Sequence, residues 1–179
     1  MTVQTAPVAG PEIGVRGPAN AHSDGESVRR SGARHRRESA APAFSCVNAH
    51  GGAGATTLAN ILDAADLGCR WPVTARGDSG RVLLVARTHA AGLQAAGRIL
   101  DSVEKHRRPD VRVLALVLVA DAPGRVPRQL AQRIRLLRSA FKTFDIPWIP
   151  AWRVGEQPEN LPKEVMNLAQ FLQNPLGTR

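Results

Sequence analysis

The sequence contains no tyrosine, and aromatic residues make up only 4% of its 179 residues. Proteins that bind single-stranded nucleic acid stack its bases on aromatic side chains, so this composition argues against that class. Two cysteines, Cys46 and Cys69, are too few for a disulfide framework and favour reduced thiols. The absence of an apolar run of eighteen residues argues against a transmembrane segment, and residues 1–10 lack the features of a secretory signal. These absences predict a cytoplasmic protein.

Positive charge is in excess, with a formal net charge of +9. Residues 1–43 hold six arginines and four acids, so most of the excess lies further along the chain. An excess of this sign favours an anionic partner, either nucleic acid or an acidic membrane surface. Residues 1–43 are rich in Pro, Gly, Ser, Ala and Arg and show no apolar periodicity. We predict a disordered basic tail over 1–43 and a folded domain over 44–179.

Four segments of the folded domain have the character of strands. Two of them, R-V-L-L-V-A-R at 81–87 and V-R-V-L-A-L-V-L-V-A at 111–120, are almost continuously apolar, as is typical of strands buried on both faces. Shorter strands are predicted at 44–48 and at 146–150. Strands that alternate with helices predict the α/β class. We expect a small, doubly wound, three-layer domain with a mainly parallel sheet of about four to five strands.

Helices are predicted between these strands from apolar residues spaced three and four apart. They fall after the first strand, at 90–100, from about 127 to 141, and at the end of the domain, where Asn160 is the candidate N-cap. The apolar face of the first helix comprises Leu58, Ile61, Leu62 and Ala65, and that of the last helix comprises Leu161, Val165, Leu168 and Leu172.

A glycine-rich turn, N-A-H-G-G-A-G-A-T-T-L-A at 48–59, joins the first predicted strand to the first helix. In this context backbone N–H groups and the helix N-terminus form an anion site. Gly51, Gly52 and Gly54 let the backbone approach a phosphate closely. Thr56 stands where the hydroxyl of a phosphate-binding loop coordinates Mg²⁺. The turn therefore predicts a nucleotide site, with a purely structural turn as the alternative.

The same stretch resembles the deviant Walker A loop of MinD/ParA-type ATPases, K-G-G-x-G-K-T-T. Gly51, Gly52, Gly54, Thr56 and Thr57 match it, and the likeness continues in order and character over about 44–172. The layout also resembles a group of actinobacterial proteins with a shortened MinD-like pattern. The resemblance implies ATP or GTP with Mg²⁺ as ligand, a protein partner, and a role in replicon maintenance or transfer. The family's signature lysine acts across a dimer, so the resemblance leaves a homodimer as one possible assembly.

Two departures from the family pattern concern catalysis. His50 replaces the signature lysine and Ala55 replaces the catalytic lysine, although electrostatic stabilisation carries most of phosphoryl transfer. About 24 residues separate Thr57 from the strand near Val82, and they include no apolar strand that ends in an acid. We therefore expect a non-catalytic binding or scaffold module. The alternative is a minimal ATPase or GTPase that uses the loop amides, Thr56, Asp121 and a cation supplied by a partner.

Two residues near the loop carry open assignments. His50 is a candidate hydrogen-bond donor to a phosphate, and a hydrogen bond to the backbone is the alternative. Asp121 ends the longest apolar strand, in D-A-P-G, and is a candidate Mg²⁺ ligand. Its alternative is an aspartate that starts a turn. His50, His89 and the two cysteines lack metal-ligand spacing, which argues against a structural zinc site.

A basic helix face is the second candidate site. Four cations fall within an arc of about 80° on the helix near 127–142, opposite its apolar stripe, and a fifth lies just before it. Such a face can follow a DNA backbone without reading its sequence, and a solvated cationic surface is the alternative. The residues are Arg125, Arg128, Arg135, Arg138 and Lys142.

Overall fold

The computed structural model describes residues 42–106 and 108–173. Strands and helices alternate along them. The strands are β1 (Ser45–Asn48), β2 (Ala65–Asp66), β3 (Arg81–Arg87), β4 (Arg112–Val119) and β5 (Thr143–Ile146), and the helices are α1 (Ala55–Leu62), α2 (Ala90–Lys105), α3 (Arg128–Ala140), α4 (Pro150–Arg153) and α5 (Lys163–Gln173). Residues 1–41 of the predicted disordered tail lie outside the described part of the chain.

The five strands form one sheet in the order β2-β1-β3-β4-β5, and every neighbouring pair is parallel. Helices cover both faces, and the two apolar clusters of the core show which helix lies where. Alternation along β3 sends Leu83 and Val85 to the cluster beneath α1 and α5, whereas Val82, Leu84 and Ala86 join the cluster beneath α2 and α3. The predicted doubly wound α/β domain is confirmed.

The strand predicted at 146–150 is wrong. Strand β5 covers Thr143–Ile146, and the I-P-W-I-P segment leaves the sheet after its first residue. Pro147 has no N–H to donate to a ladder, which ends pairing there. Pro150 occupies the first turn of α4, a position that suits its fixed φ. Because the strand starts earlier than predicted, α3 ends at Ala140 and Lys142 lies beyond the helix.

Two helix boundaries also differ from prediction. Asp63 adopts a left-handed conformation (φ 53°, ψ 47°) that ends α1, so Ala65 belongs to the two-residue edge strand β2, which apolar spacing did not reveal. Helix α5 begins at Lys163, three residues after the predicted N-cap Asn160. Leu161 is correspondingly exposed, whereas Val165, Leu168 and Leu172 are buried as predicted. None of the helices over the described ranges has the length and apolar character needed to cross a bilayer.

Candidate functional site

The candidate site lies where the strand order reverses. Strand β1 has β2 on one side and β3 on the other, and the helices that follow β1 and β3 pack on opposite faces of the sheet. In open α/β sheets this arrangement opens a crevice at the carboxyl ends of the two strands, where ligands bind. The glycine-rich turn leaves β1 at this edge, and Thr88 and His89 leave β3 beside it. We call residues 49–54 the glycine loop.

Two glycines give the glycine loop its path. Gly52 and Gly54 have φ values of 74° and 104°, in the left-handed region that disfavours other residues. The Asn48 side chain closes the loop, because its Oδ1 accepts a hydrogen bond of 3.0 Å from the Ala55 N–H at the start of α1. Gly51 and Gly52 are exposed, whereas Ala53 is fully buried. The loop is therefore held at both ends and open in the middle.

Several backbone N–H groups in and after the glycine loop are available to bind an anion. Within the described residues, the backbone N–H groups of Gly51, Gly52, Gly54, Thr56 and Thr57 make no hydrogen bond to the protein. The Thr56 side chain is exposed in the first turn of α1, and that of Thr57 is half-buried. Free amides beside a helix N-terminus favour a bound anion. The matched positions of the Walker-type motif therefore lie together.

His50 fastens the glycine loop to β3. Its Nε2 accepts from the Arg87 N–H at 3.1 Å, so its protonated Nδ1 donates to the Gly51 carbonyl oxygen at 2.9 Å. Its ring lies 4.9 Å from that of His89, whose Nδ1 accepts from the Gly92 N–H and caps α2. Both ring nitrogens of His50 thus bond to the backbone, which leaves none to donate to a phosphate.

Arg87 is the cation of the site, and the motif did not identify it. Its Nε donates to the Gly52 carbonyl oxygen at 3.1 Å, and its Nη1 donates to the Ala120 carbonyl oxygen at 3.2 Å. A guanidinium carries five N–H donors, so others remain for a ligand. A signal was available in the sequence, since Arg87 ends a buried strand and the carboxyl ends of parallel strands share one edge.

Asp121 follows Ala120, whose carbonyl oxygen accepts from Arg87. Its backbone N–H donates to the Thr88 hydroxyl at 3.1 Å, while its side chain is exposed. A left-handed Gly124 (φ 91°) follows in the same turn, as the turn interpretation expects. Over the described ranges, no group of three His, Cys, Asp or Glu residues could hold a metal ion. A magnesium site here would rely on phosphate oxygens and water for its other ligands.

A cavity of about 460 Å³ opens beside the turn that contains Asp121. We call it the α3 cavity, because Leu130 and Ile134 of that helix form part of its wall together with Leu118 and Ile146. Thr88, at its edge, links it to the end of β3. Its volume and apolar wall with a few polar groups are typical of a small-molecule site. The glycine loop does not line it, so a ligand that used both would span the end of β3.

The residues of the predicted basic face have different neighbours in the structure. Arg128 and Arg135 are exposed on α3, whereas Arg138 pairs with Asp145 of β5 and, like Arg125, lines the α3 cavity. The Lys142 ammonium lies 5.4 Å from the centre of the Phe144 ring and 5.7 Å from that of Phe171. Arg133 of α3, which the sequence analysis did not name, is exposed as well. All five predicted cations are exposed, and two of them, Arg138 and Lys142, also contact a carboxylate and aromatic rings.

Comparison with known proteins places most of the chain in one family. The family model that matches covers residues 43–169 and is described as a family of unknown function (DUF6668). The chain belongs to this family. It has no match among the curated proteins. It has none among the solved structures either.

Proposed function

We propose that this member of the DUF6668 family is a non-catalytic binding or scaffold module whose glycine loop binds a phosphate ester. The single observation that carries the proposal is the pairing of the glycine loop with Arg87. Among the described residues, the N–H groups of Gly51, Gly52 and Gly54 have no protein partner, and the guanidinium is hydrogen-bonded to Gly52. Amide donors in a glycine-rich turn with one arginine beside them suit a phosphate.

The ligand that suits the site best is ATP or GTP with Mg²⁺. The phosphates would accept from the loop amides and from Arg87, and the Thr56 hydroxyl is exposed where a metal ion bound to them could be reached. The α3 cavity, across the end of β3, has room for the remainder of such a molecule. On this proposal the loop binds nucleotide phosphates as in the MinD/ParA-type proteins that it resembles.

Turnover is not part of the proposal, because the groups that stabilise transferring charge are replaced. Ala55 stands at the position of the catalytic lysine and is fully buried, and His50 has both ring nitrogens on the backbone. Arg87 adds one cation, but two of its donors are committed to carbonyl oxygens. The rival is a minimal ATPase or GTPase completed by a partner's cation. A protein partner, or a second copy of the chain, would have to provide that group.

Thermal unfolding with ATP, GTP and Mg²⁺ tests the proposal. A ligand at 100 times its Kd stabilises the folded state by about 2.7 kcal/mol, which raises Tm by several degrees. We expect the rise to shrink in Arg87→Gln and to persist in Arg98→Gln, which removes an exposed charge on α2. An unchanged Tm at millimolar nucleotide would contradict nucleotide binding. Phosphate release above the buffer blank would support the rival enzyme.

Nucleic acid is a second candidate ligand, favoured by the exposure of α3. Only Ile134 of this helix is buried, and Arg128, Arg133 and Arg135 face solvent. In the double variant Arg128→Glu/Arg135→Glu we expect weaker binding to duplex DNA at low salt. If both residues contact phosphates, the negative slope of log K against log[salt] becomes less steep by about 1.8. The double variant Arg98→Glu/Arg112→Glu makes the same change of net charge at exposed residues outside α3. An equal decrease in the magnitude of the slope for that variant would remove α3 as the DNA site.

A further inference from the structure

A second anion-binding feature lies on the other side of Arg87. A narrow cleft separates the end of β4 from α4, and its walls include Arg87, Val119, Trp148, Trp152 and Arg153. We call it the α4 cleft. All the described residues that line it are apolar, aromatic or cationic. A recess with two guanidinium groups and no carboxylate attracts anions.

The strongest sign of a missing ligand is the indole of Trp152. Its Nε1 is buried and, within the described part of the chain, has no hydrogen-bond partner. A buried donor without an acceptor costs about 1–3 kcal/mol, so such groups are uncommon unless something occupies the site. The indole nitrogen is only a donor, so whatever satisfies it must present an acceptor.

Two arginines line the same cleft as Trp152. The Arg153 guanidinium lies 5.4 Å from the centre of the Trp148 ring, a cation–π distance, and is otherwise exposed. Arg87 is fixed by its bonds to Gly52 and Ala120. Stacking on a flat ring orients a guanidinium without using its N–H groups. Both arginines therefore keep donors for an acceptor that enters the cleft.

The size of the cleft restricts what can enter. It has about 10 Å³ of free volume, which suits one oxygen atom the size of a water. A tetrahedral oxyanion can insert one oxygen toward Trp152 Nε1 and keep the others at the mouth, near Arg87 and Arg153. A planar or apolar group would leave the indole donor unpaired. A lone water would satisfy the indole but would bring no negative charge to the two guanidinium groups.

We infer that the α4 cleft binds a phosphate-type oxyanion through Arg87, Arg153 and the indole N–H of Trp152, as a site separate from the glycine loop. Both sites share Arg87 but no other donor. The oxyanion has two sources, either free inorganic phosphate or a second phosphoryl group of a ligand held at the loop. The inference does not require that the loop be occupied.

Titration of the full chain with inorganic phosphate, followed by tryptophan fluorescence in a Trp71→Phe background, tests the inference. We expect a saturable change that Arg153→Gln weakens by about tenfold, the effect of removing one charged hydrogen bond. Trp152→Phe keeps most of the packing and should weaken phosphate binding several-fold, with the fluorescence of Trp148 as the readout. Arg98→Gln should leave the affinity unchanged. Because Arg153 is exposed, Arg153→Gln is informative even if Trp152→Phe fails to fold.

The variant Gly54→Ala distinguishes this site from the glycine loop, since it strains the loop at a φ of 104°. We expect phosphate to bind this variant as it binds the wild type. Loss of phosphate binding in Gly54→Ala but not in Arg153→Gln would overturn the cleft and leave the proposed function standing. Absence of any saturable change with phosphate would also overturn the inference. Pyrophosphate that binds more tightly than phosphate, with the gain lost in either variant, would identify a second phosphoryl group as the source.

Discussion

The side chain of Arg87 is hydrogen-bonded to the backbone of Gly52, with 3.1 Å between Nε and the carbonyl oxygen. A residue at the end of β3 thereby fixes the conformation of a loop that leaves β1. The His50 ring makes the reverse connection, from the glycine loop to the backbone of Arg87. Loop and strand are thus tied twice. The position of the free amides depends on these ties as much as on the glycines.

Replacing Arg87 should loosen the glycine loop. Hydrogen bonds that involve a charged group contribute about 1.5–3 kcal/mol each, and Arg87 makes two to carbonyl oxygens. Because the site is partly open to solvent, we expect Arg87→Gln to lower the free energy of unfolding by about 1–3 kcal/mol in total. Arg87→Lys should recover only part of it, since an ammonium lacks the fork that reaches both oxygens. Urea unfolding measures the change. A loss below 0.5 kcal/mol, as expected for Arg98→Gln, would contradict this role.

Two glycines of α2 should respond to alanine with opposite signs. A Cβ on Gly92 would clash with the Arg87 carbonyl oxygen and lie 2.8 Å from His50 Nε2, whereas one on Gly97 would meet no atom of the described residues within 4 Å. Gly97→Ala should stabilise the protein by about 0.5–1 kcal/mol, the usual gain in a helix. Gly92→Ala should destabilise it by about 1–3 kcal/mol through overpacking. Thermal unfolding of both variants provides the comparison, and a shift of the same sign in both would refute the close packing at Gly92.

Much of this fold could be predicted from the sequence, because strands β3 and β4 are continuous apolar runs and the helices between them have clear periodicity. The elements that differ are short. Strand β2 has two residues, and β5 was displaced because Pro147 and Pro150 interrupt an apolar segment without changing its hydrophobicity. The candidate site was likewise predicted only where a local sequence pattern marks it. The glycines were evident from one local motif, while Arg87 and Trp152 matter through contacts with residues distant in sequence.

The two thiols should differ in reactivity. Burial, reinforced by the negative charge of Asp66, raises the pKa of the Cys46 thiol from 9.0 to about 12, and Cys69 is exposed. The thiolate is the reactive form, so Cys46 stays unreactive in the native state at neutral pH. A disulfide-exchange reagent at pH 8 should therefore modify one thiol per native chain and two after unfolding. Cys69→Ser should reduce the native count to none, and rapid modification of that variant would contradict the burial of Cys46.

Acid should weaken the loop that precedes β3. The Asp78 carboxylate accepts hydrogen bonds from the Arg70 guanidinium at 2.5 Å and 3.2 Å and from the Val73 N–H at 2.9 Å. These bonds lower the pKa of Asp78 from 3.8 to about 2. A lowered folded-state pKa means that this contribution is complete above pH 3.8 and is lost as the pH falls toward 2. Asp78→Asn should therefore lower Tm at pH 7 and have little effect near pH 2. The matched change Asp101→Asn, at an exposed acid on α2, should show no such pH dependence. An equal Tm loss for Asp78→Asn at both pH values would disprove the ion pair.

A lysine placed at position 55, where the Walker A motif that the loop resembles carries one, should not create catalysis. The Ala55 side chain is fully buried and belongs to the apolar cluster beneath α1, so a lysine there must displace core atoms or lose its charge. We expect Ala55→Lys to lower the free energy of unfolding by about 1–3 kcal/mol and to release phosphate from ATP no faster than the wild type. Ala59→Lys, at a buried position one turn along α1, controls for the cost of a lysine beneath the helix. Hydrolysis that rose in Ala55→Lys but not in Ala59→Lys would mean that a lysine charge at position 55 is sufficient for turnover. The geometry for phosphoryl transfer would then be intact, and the non-catalytic assignment would have to be withdrawn.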